Sequence, residues 1–335
     1  MVLLLQCNWY CNYYCHLMVC SLIFGKGASG IVVIWAKICK FAKNKIKKMQ
    51  KIIGMIVLLT VYAVSQAAVP VSQMRFANAG DTTEINRILE DLVGADKNAG
   101  KRALQIAEQF VGRQYVAHTL EDSIEKLTIN VACFDCMTLV ETVVALTLTS
   151  QISNPTWRDF TRYLESVRYR KGEMKGYVSR LHYVSEWITD NTYRGNIDEV
   201  TDEIGTSATM VKSVNYMSKN ANLYPALKDS ATLAGIKNAE MGYRNHQITY
   251  LKKEVISKQS SYDNLRDGDI IVVLSKVEGL DASHVGLIKK IEGKPHLLHA
   301  SLKEGRVVID SYDLKEYFKR VARNSPGVRV LRICN

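Results

Sequence analysis

A cysteine nucleophile needs three things that a sequence can display: a sulfur where the thiolate is favoured, a histidine to take its proton, and a group that orients that histidine. Asp135-Cys136 stands at the head of Met137-Thr-Leu-Val-Glu-Thr-Val-Val-Ala-Leu-Thr-Leu148, whose apolar residues nearly encircle a helix and predict that it is buried. Asp135 is a natural N-cap, so Cys136 falls at the positive end of the helix dipole, where a lowered thiol pKa is expected. The imidazoles come from far downstream, where His284, His296 and His299 lie in two neighbouring β-branched runs. If Glu292-Gly293 is a two-residue hairpin loop, Ile291 pairs with Lys294 and His284 faces Ser301. His299 is then a diagonal neighbour of His284 on the same face. His296 falls on the opposite face; a three-residue loop would exchange the two.

Cys133-Phe-Asp-Cys136 is also a C-x-x-C, the spacing of a redox pair or of half a zinc site. The redox reading lacks a βαβ context and the zinc reading lacks two histidines at helical ligand spacing, so neither metal nor organic cofactor is expected. Cys133 is expected as a small buried residue. Arg168-Tyr-Arg-Lys171 would suit an anionic or sugar-rich ligand, or be a solvated charge run.

These groups must be positioned by elements from both halves of the chain. Apolar residues recur at helical spacing from Asp81 to about Val111, broken by Gly94 and Gly100, which predicts two short helices. Trp157 to Val167 and Tyr183 to Ile188 read as helical too. From about 190 to 252 the sequence is polar and mixed and reads as a partly helical insertion. The period then changes. Gly268–Leu274, Ser283–Ile288, His296–Ser301 and Arg306–Asp310 are four short runs that predict an antiparallel meander. Helices first and strands afterwards give an α+β architecture, with the buried helix packed on the sheet.

Charge is distributed unevenly. The chain has 335 residues and a net charge of +11, but residues 1 to 67 hold eight Lys and no Asp or Glu, leaving 36 basic against 33 acidic residues in the rest. A uniform basic field is excluded for the main body, and with it the simplest case for nucleic-acid binding. Hydrophobic residues at 47% with only 5 Pro exclude a disordered or low-complexity chain. Residues 49 to 67 read as a signal peptide: Lys47, Lys48 and Lys51, then the apolar run Ile52–Val64, then Ser65-Gln66-Ala67. The run is shorter than the ~20 residues of a membrane span. Cleavage there predicts a periplasmic or secreted protein with no stable membrane anchor. Residues 1 to 48, in front of a second Met, read as an upstream extension from a misplaced start. Residues 68 to 335 then form a single catalytic domain.

Phe134-Asp-Cys-Met-Thr-Leu-Val-Glu141, followed by Gly268-Asp-Ile-Ile, Ser283-His-Val-Gly286 and Leu298-His-Ala-Ser301, resembles the NlpC-type, papain-like cell-wall cysteine hydrolases. Ser179-Arg-Leu-His-Tyr183, Gly279-Leu-Asp281 and the long insertion are similar to their N-acetylmuramoyl-L-alanine amidase-like branch, over about Ala107 to Leu331. The resemblance implies a papain-like fold with an antiparallel sheet or partial barrel. It implies Cys136 as nucleophile, His284 as general base and acid, and His299 as the residue that orients His284. It further implies that Tyr115 lines the cleft and that Arg180, His182, Asp281 and Ser283 contact substrate. Peptidoglycan or its muropeptide fragments are the implied substrate, cut between N-acetylmuramic acid and L-alanine through a thioester. A D-glutamyl-diamino acid endopeptidase of the same fold, and a cell-wall-binding module without turnover, are the alternatives. At His118 the family pattern has Gly, so a change of loop shape around Tyr115 is expected.

Overall fold

The computed structural model describes residues 69–122 and 124–335. The readings of residues 1–48 as an upstream extension and of 49–67 as a signal peptide lie outside the described residues. Among the described residues, no helix is long and apolar enough to cross a membrane.

The N-terminal half is built from β1 (Met74–Phe76), α1 (Asp81–Asp91), α2 (Ala99–Gln109), β2 (Gln114–Tyr115), β3 (Leu127–Ile129), β4 (Cys133–Phe134), α3 (Cys136–Thr149), α4 (Trp157–Arg168) and α5 (Val184–Tyr193). The two short helices expected before residue 111 are both present, and Gly94, with φ 80°, lies in the break between them. Gly100 does not break anything. It is the second residue of α2, where a Cβ would run into the Asp267 carbonyl, so its role is close approach rather than termination. Helix α3 is buried from Thr138 to Thr149, as apolar residues on nearly every face require.

The C-terminal half adds the meander β8 (Ile270–Leu274), β9 (Ala282–Ile291), β10 (Lys294–Ser301) and β11 (Arg306–Asp313), then α7 (Leu314–Arg320) and β12 (Gly327–Ile333). One mixed sheet results, in the order β4-β2-β11-β10-β9-β8-β12-β7-β6, with β5 on β12 and only the short β2-β4 pairing parallel. The insertion departs from its helical reading. It supplies α6 (Ser230–Met241) but also β5 (Ile197–Glu199), β6 (Ala208–Lys212) and β7 (His246–Lys252). These extend the sheet beyond β12, because Ile248, Tyr250 and Leu251 have apolar surface that only the sheet core can cover.

Both faces of β8 are buried, so it reads as an unbroken apolar run. Ile270, Val272, Val285 and Leu287 join the core that includes α3. Ile271, Val273, Ile288 and Leu297 pack with Leu314, Tyr317 and Phe318 on the other side.

Candidate active site

Helix α3 begins where it does because of a reciprocal cap. The Asp135 carboxylate accepts from the Thr138 N–H at 2.7 Å, and the Asp135 N–H donates to the Thr138 hydroxyl at 3.0 Å. Cys136 is therefore the first helical residue, as expected, but its charge state is not the expected one. Burial, reinforced by the negative charge of Asp135, pushes the thiol up to about 12. The amides of Val285, Cys136 and Met137 favour the thiolate but do not outweigh desolvation. The helix-start effect is real and is overridden, so the resting sulfur carries its proton.

The opposing wall comes from the β9–β10 hairpin. Glu292 and Gly293 both have positive φ (48° and 78°), the two-residue turn whose twist suits a hairpin. Ile291 pairs with Lys294 and the register runs without a slip to Leu287 and Leu298. His284 and His299 accordingly meet: Nε2 of His284 lies 2.6 Å from Nδ1 of His299, the rings perpendicular with centroids 4.8 Å apart. His296 turns elsewhere, its Nδ1 on the Asp310 carbonyl at 3.0 Å. Two local features make the meeting possible. An extra residue, Ser283, in β9 opposite the Val273/Leu274 step bulges the strand just before His284. At Gly286 a Cβ would sit 2.9 Å from the His299 Cβ, so only glycine leaves room for that ring. Burial, then His299 beside it, pushes His284 down to about 3.

Asp310 is a residue that the sequence reading did not single out. His299 faces Val308 across β10–β11, and Asp310 lies two residues further on the same face, the parity that relates His299 to His284. Its Oδ2 stands 3.5 Å from His299 Nε2, a buried nitrogen that makes no hydrogen bond. Although burial alone would raise it, contact with His299 and the Tyr312 N–H bring the Asp310 carboxyl below its ordinary value. Tyr317 of α7 stacks edge-on against His299 at 6.0 Å and, with Tyr115, is close enough to Cys136 that thiolate charge would raise both phenols beyond what burial does.

The remaining residues divide. Tyr115, expected to line the cleft, is beside Cys136. Arg180 and His182 border a cavity of about 170 Å³ that also meets Asp135, Met137 and Thr138 at the start of α3. Arg180 is buried and held by the Leu120 carbonyl at 3.0 Å and Glu121 at 2.6 Å. His182 stacks on Tyr177 and binds its carbonyl at 2.8 Å; burial and the Arg180 cation push it down to about 3. Asp281, expected at the substrate, is instead buried with both oxygens occupied by the Ser185 and Ala282 amides, tying the loop before His284 to α5. Ser283 is exposed and borders a separate groove lined by residues 274–277 and 320–325 rather than the Arg180 cavity. His118 has φ 61°, the backbone a glycine would adopt without strain, so the loop keeps the glycine-type conformation. Arg168-Tyr-Arg-Lys171 is neither a ligand patch nor a solvated run: Arg168 pairs with buried Glu141 at 2.6 Å and Arg170 with Glu186. Cys133 is half-buried rather than buried, its sulfur accepting from Asn130 at 3.1 Å. Among the described residues no set of three or more His, Cys, Asp or Glu converges as metal ligands.

The N-acetylmuramoyl-L-alanine amidase-like family model matches residues 105–326. A solved N-acetylmuramoyl-L-alanine amidase from Bacteroides uniformis ATCC 8492 is 35% identical with a TM-score of 0.65, over 71% of this chain and 99% of that one. A Bacteroides fragilis protein provisionally named a xylanase is 37% identical with a TM-score of 0.63, over 68% and 99%. A Legionella pneumophila protein at 18% identity, TM-score 0.60, shares the fold over 76% of this chain and 94% of that one. No curated protein matches the chain.

Proposed function

This chain belongs to the N-acetylmuramoyl-L-alanine amidase-like family, and from that premise we propose that it hydrolyses the amide between N-acetylmuramic acid and L-alanine with Cys136 as nucleophile, on a papain-like, NlpC-type fold. The observation that carries the reading is the 2.6 Å contact between His284 and His299, in a strand whose next amide, Val285, acts on the Cys136 sulfur. His284 is the base and acid, and His299 orients it.

With the thiol near 12 and the imidazole near 3, the resting pair is neutral, so deprotonation accompanies attack instead of preceding it. Cys136 Sγ attacks the lactyl carbonyl as its proton passes to His284. The Cys136 amide at the helix start meets the developing oxyanion. The imidazolium gives its proton to the alanine nitrogen as the C–N bond breaks, leaving a thioester. Water then attacks, its proton going to His284 and back to the departing sulfur. Arg180 and His182 border the cavity at the start of α3 and Tyr115 lies beside Cys136, which is where a muropeptide would lie. The run from Lys47 to Ala67 supports export by a cleavable signal peptide, to be checked by N-terminal sequencing of fractionated protein.

Incubation with muropeptides, read by mass, tests the reaction. Products with a free N-terminal L-alanine are expected. Release of a diamino-acid N-terminus would move the cut to the D-glutamyl bond, and tight binding with no product would make the chain a binding module.

A further inference from the structure

The relay that begins at Cys136 does not end at His299. His299 is buried, its Nδ1 is occupied by His284, and its Nε2, which makes no hydrogen bond, faces the Asp310 carboxylate at 3.5 Å. That carboxylate is aimed by local structure. Between the pairs Leu298–Ile309 and His296–Asp313 the register of β11 shifts by two residues, and within that irregularity the Tyr312 N–H holds Asp310 Oδ1 at 2.8 Å. Oδ2 is thereby left toward the histidine. The other groups bearing on Asp310 are Lys303 in the β10–β11 turn and Tyr317 of α7.

Resting on the proposed roles of Cys136 and His284, we infer that Asp310 is a positioning residue that sets the tautomers of both histidines. A carboxylate only accepts, so His299 must carry its proton on Nε2 and present a bare Nδ1. That lone pair accepts from His284 Nε2–H, and His284 is left with an unprotonated Nδ1, the nitrogen that can take the thiol proton. Without Asp310 the His299 ring can carry its proton on Nδ1. The contact at 2.6 Å then reverses, His284 becomes protonated on Nδ1, and the base is lost although the distance is unchanged.

The experiment compares the wild-type chain with Asp310→Asn and Asp310→Ala, using ¹⁵N chemical shifts of the histidine rings and muropeptide kinetics. In the wild type, His284 and His299 should both be Nε2–H tautomers. In the variants a population of Nδ1–H should grow, and kcat should fall about 100-fold with KM little changed. That is less than the ~10⁴-fold loss seen when the direct orienting carboxylate of a triad is replaced, because Asp310 is one ring further away. An Nδ1–H tautomer of His299 in the wild type, or variants with unchanged tautomers and kcat, would overturn the inference. Ring shifts are read without substrate, so a wild type that hydrolyses no muropeptide sinks the proposed function while the tautomers still test Asp310. A variant that does not fold leaves the wild-type tautomers to decide.

Discussion

Helix α3 carries two ionisable groups five residues apart and treats them in opposite ways. Glu141 faces Arg168 at 2.6 Å, the two side chains almost wholly covered, and Arg168 also donates to the Thr128 carbonyl at 2.7 Å. Burial pushes the Glu141 carboxyl up and Arg168 pulls against it. Among the described residues, the groups that shift Cys136, at the head of the same helix, include no cation. Its neighbours are a carboxylate cap, two tyrosines and His284, which burial keeps neutral. The Glu141 end is a fixed charge pair, which costs several kcal/mol to take apart and cannot change state cheaply. At the Cys136 end the thiol and His284 rest uncharged, so a proton can pass from one to the other as attack proceeds. The first arrangement holds the helix in place and the second leaves its start free to react.

Substitution at the two ends separates them. Cys136→Ala should abolish muropeptide hydrolysis, a loss on the order of 10⁶-fold if it matches nucleophile deletions elsewhere, while urea unfolding stays within about 1 kcal/mol of wild type. Arg168→Met should do the reverse kind of damage. It leaves Glu141 buried without a partner, a cost of about 3–5 kcal/mol by urea denaturation, and Arg168→Met combined with Glu141→Leu should recover most of it. A single Arg168→Met variant of wild-type stability would mean that Glu141 is already protonated and that the two ends are alike.

The pH dependence sharpens the same contrast. A thiol near 12 should alkylate with iodoacetamide slowly at pH 7 and about tenfold faster per unit up to pH 10, read at the Cys136 peptide; a plateau above pH 7 would restore the lowered, helix-start thiol. Since His284 must be neutral to act and is held near 3, kcat/KM should show no acid limb near 6.5. His284 and His182 are both pushed down in the folded state, so the unfolded chain binds more protons below 6.5. Their contribution to stability is complete above pH 6.5 and is lost as pH falls from there through about 3, which melting temperatures between pH 7 and 4 will show.

What could be read beforehand follows from which contacts are local. The hairpin was legible because Glu292-Gly293 fixes the register of both strands, and the period of two then brings His299 to His284. The same parity reaches Asp310 from His299, although the irregular register of β11 beyond Ile309 obscures where that carboxylate is aimed. The charge of Cys136 was not legible, because groups around its sulfur such as Tyr115 and Tyr317 are 21 and 181 positions away in the chain. Nor were the strands of the insertion. His246–Lys252 carries polar residues among its apolar ones, and its partner β12 is a run that the four-strand meander leaves out. Propensity alone cannot place a strand held between β6, earlier in the chain, and a second partner 75 residues later.

The smallest change probes the charge nearest the sulfur. Asp135 contributes to Cys136 in two ways that one substitution can separate. Its side-chain oxygen caps α3 by accepting from Thr138 N–H at 2.7 Å, and its negative charge raises the thiol after burial has done so. Asparagine caps as well as aspartate, so Asp135→Asn should cost less than about 1 kcal/mol, the part due to losing an anion at the positive end of the helix. The charge is gone, so the thiol pKa should fall and alkylation at pH 8 should rise severalfold. Asp135→Ala, in contrast, loses cap and charge together and should be the less stable of the two by about 1 kcal/mol. If Asp135→Asn leaves the alkylation profile where it was, desolvation alone keeps Cys136 neutral. The difference between the two ends of α3 would then come only from the presence of Arg168 at one and the lack of a cation at the other.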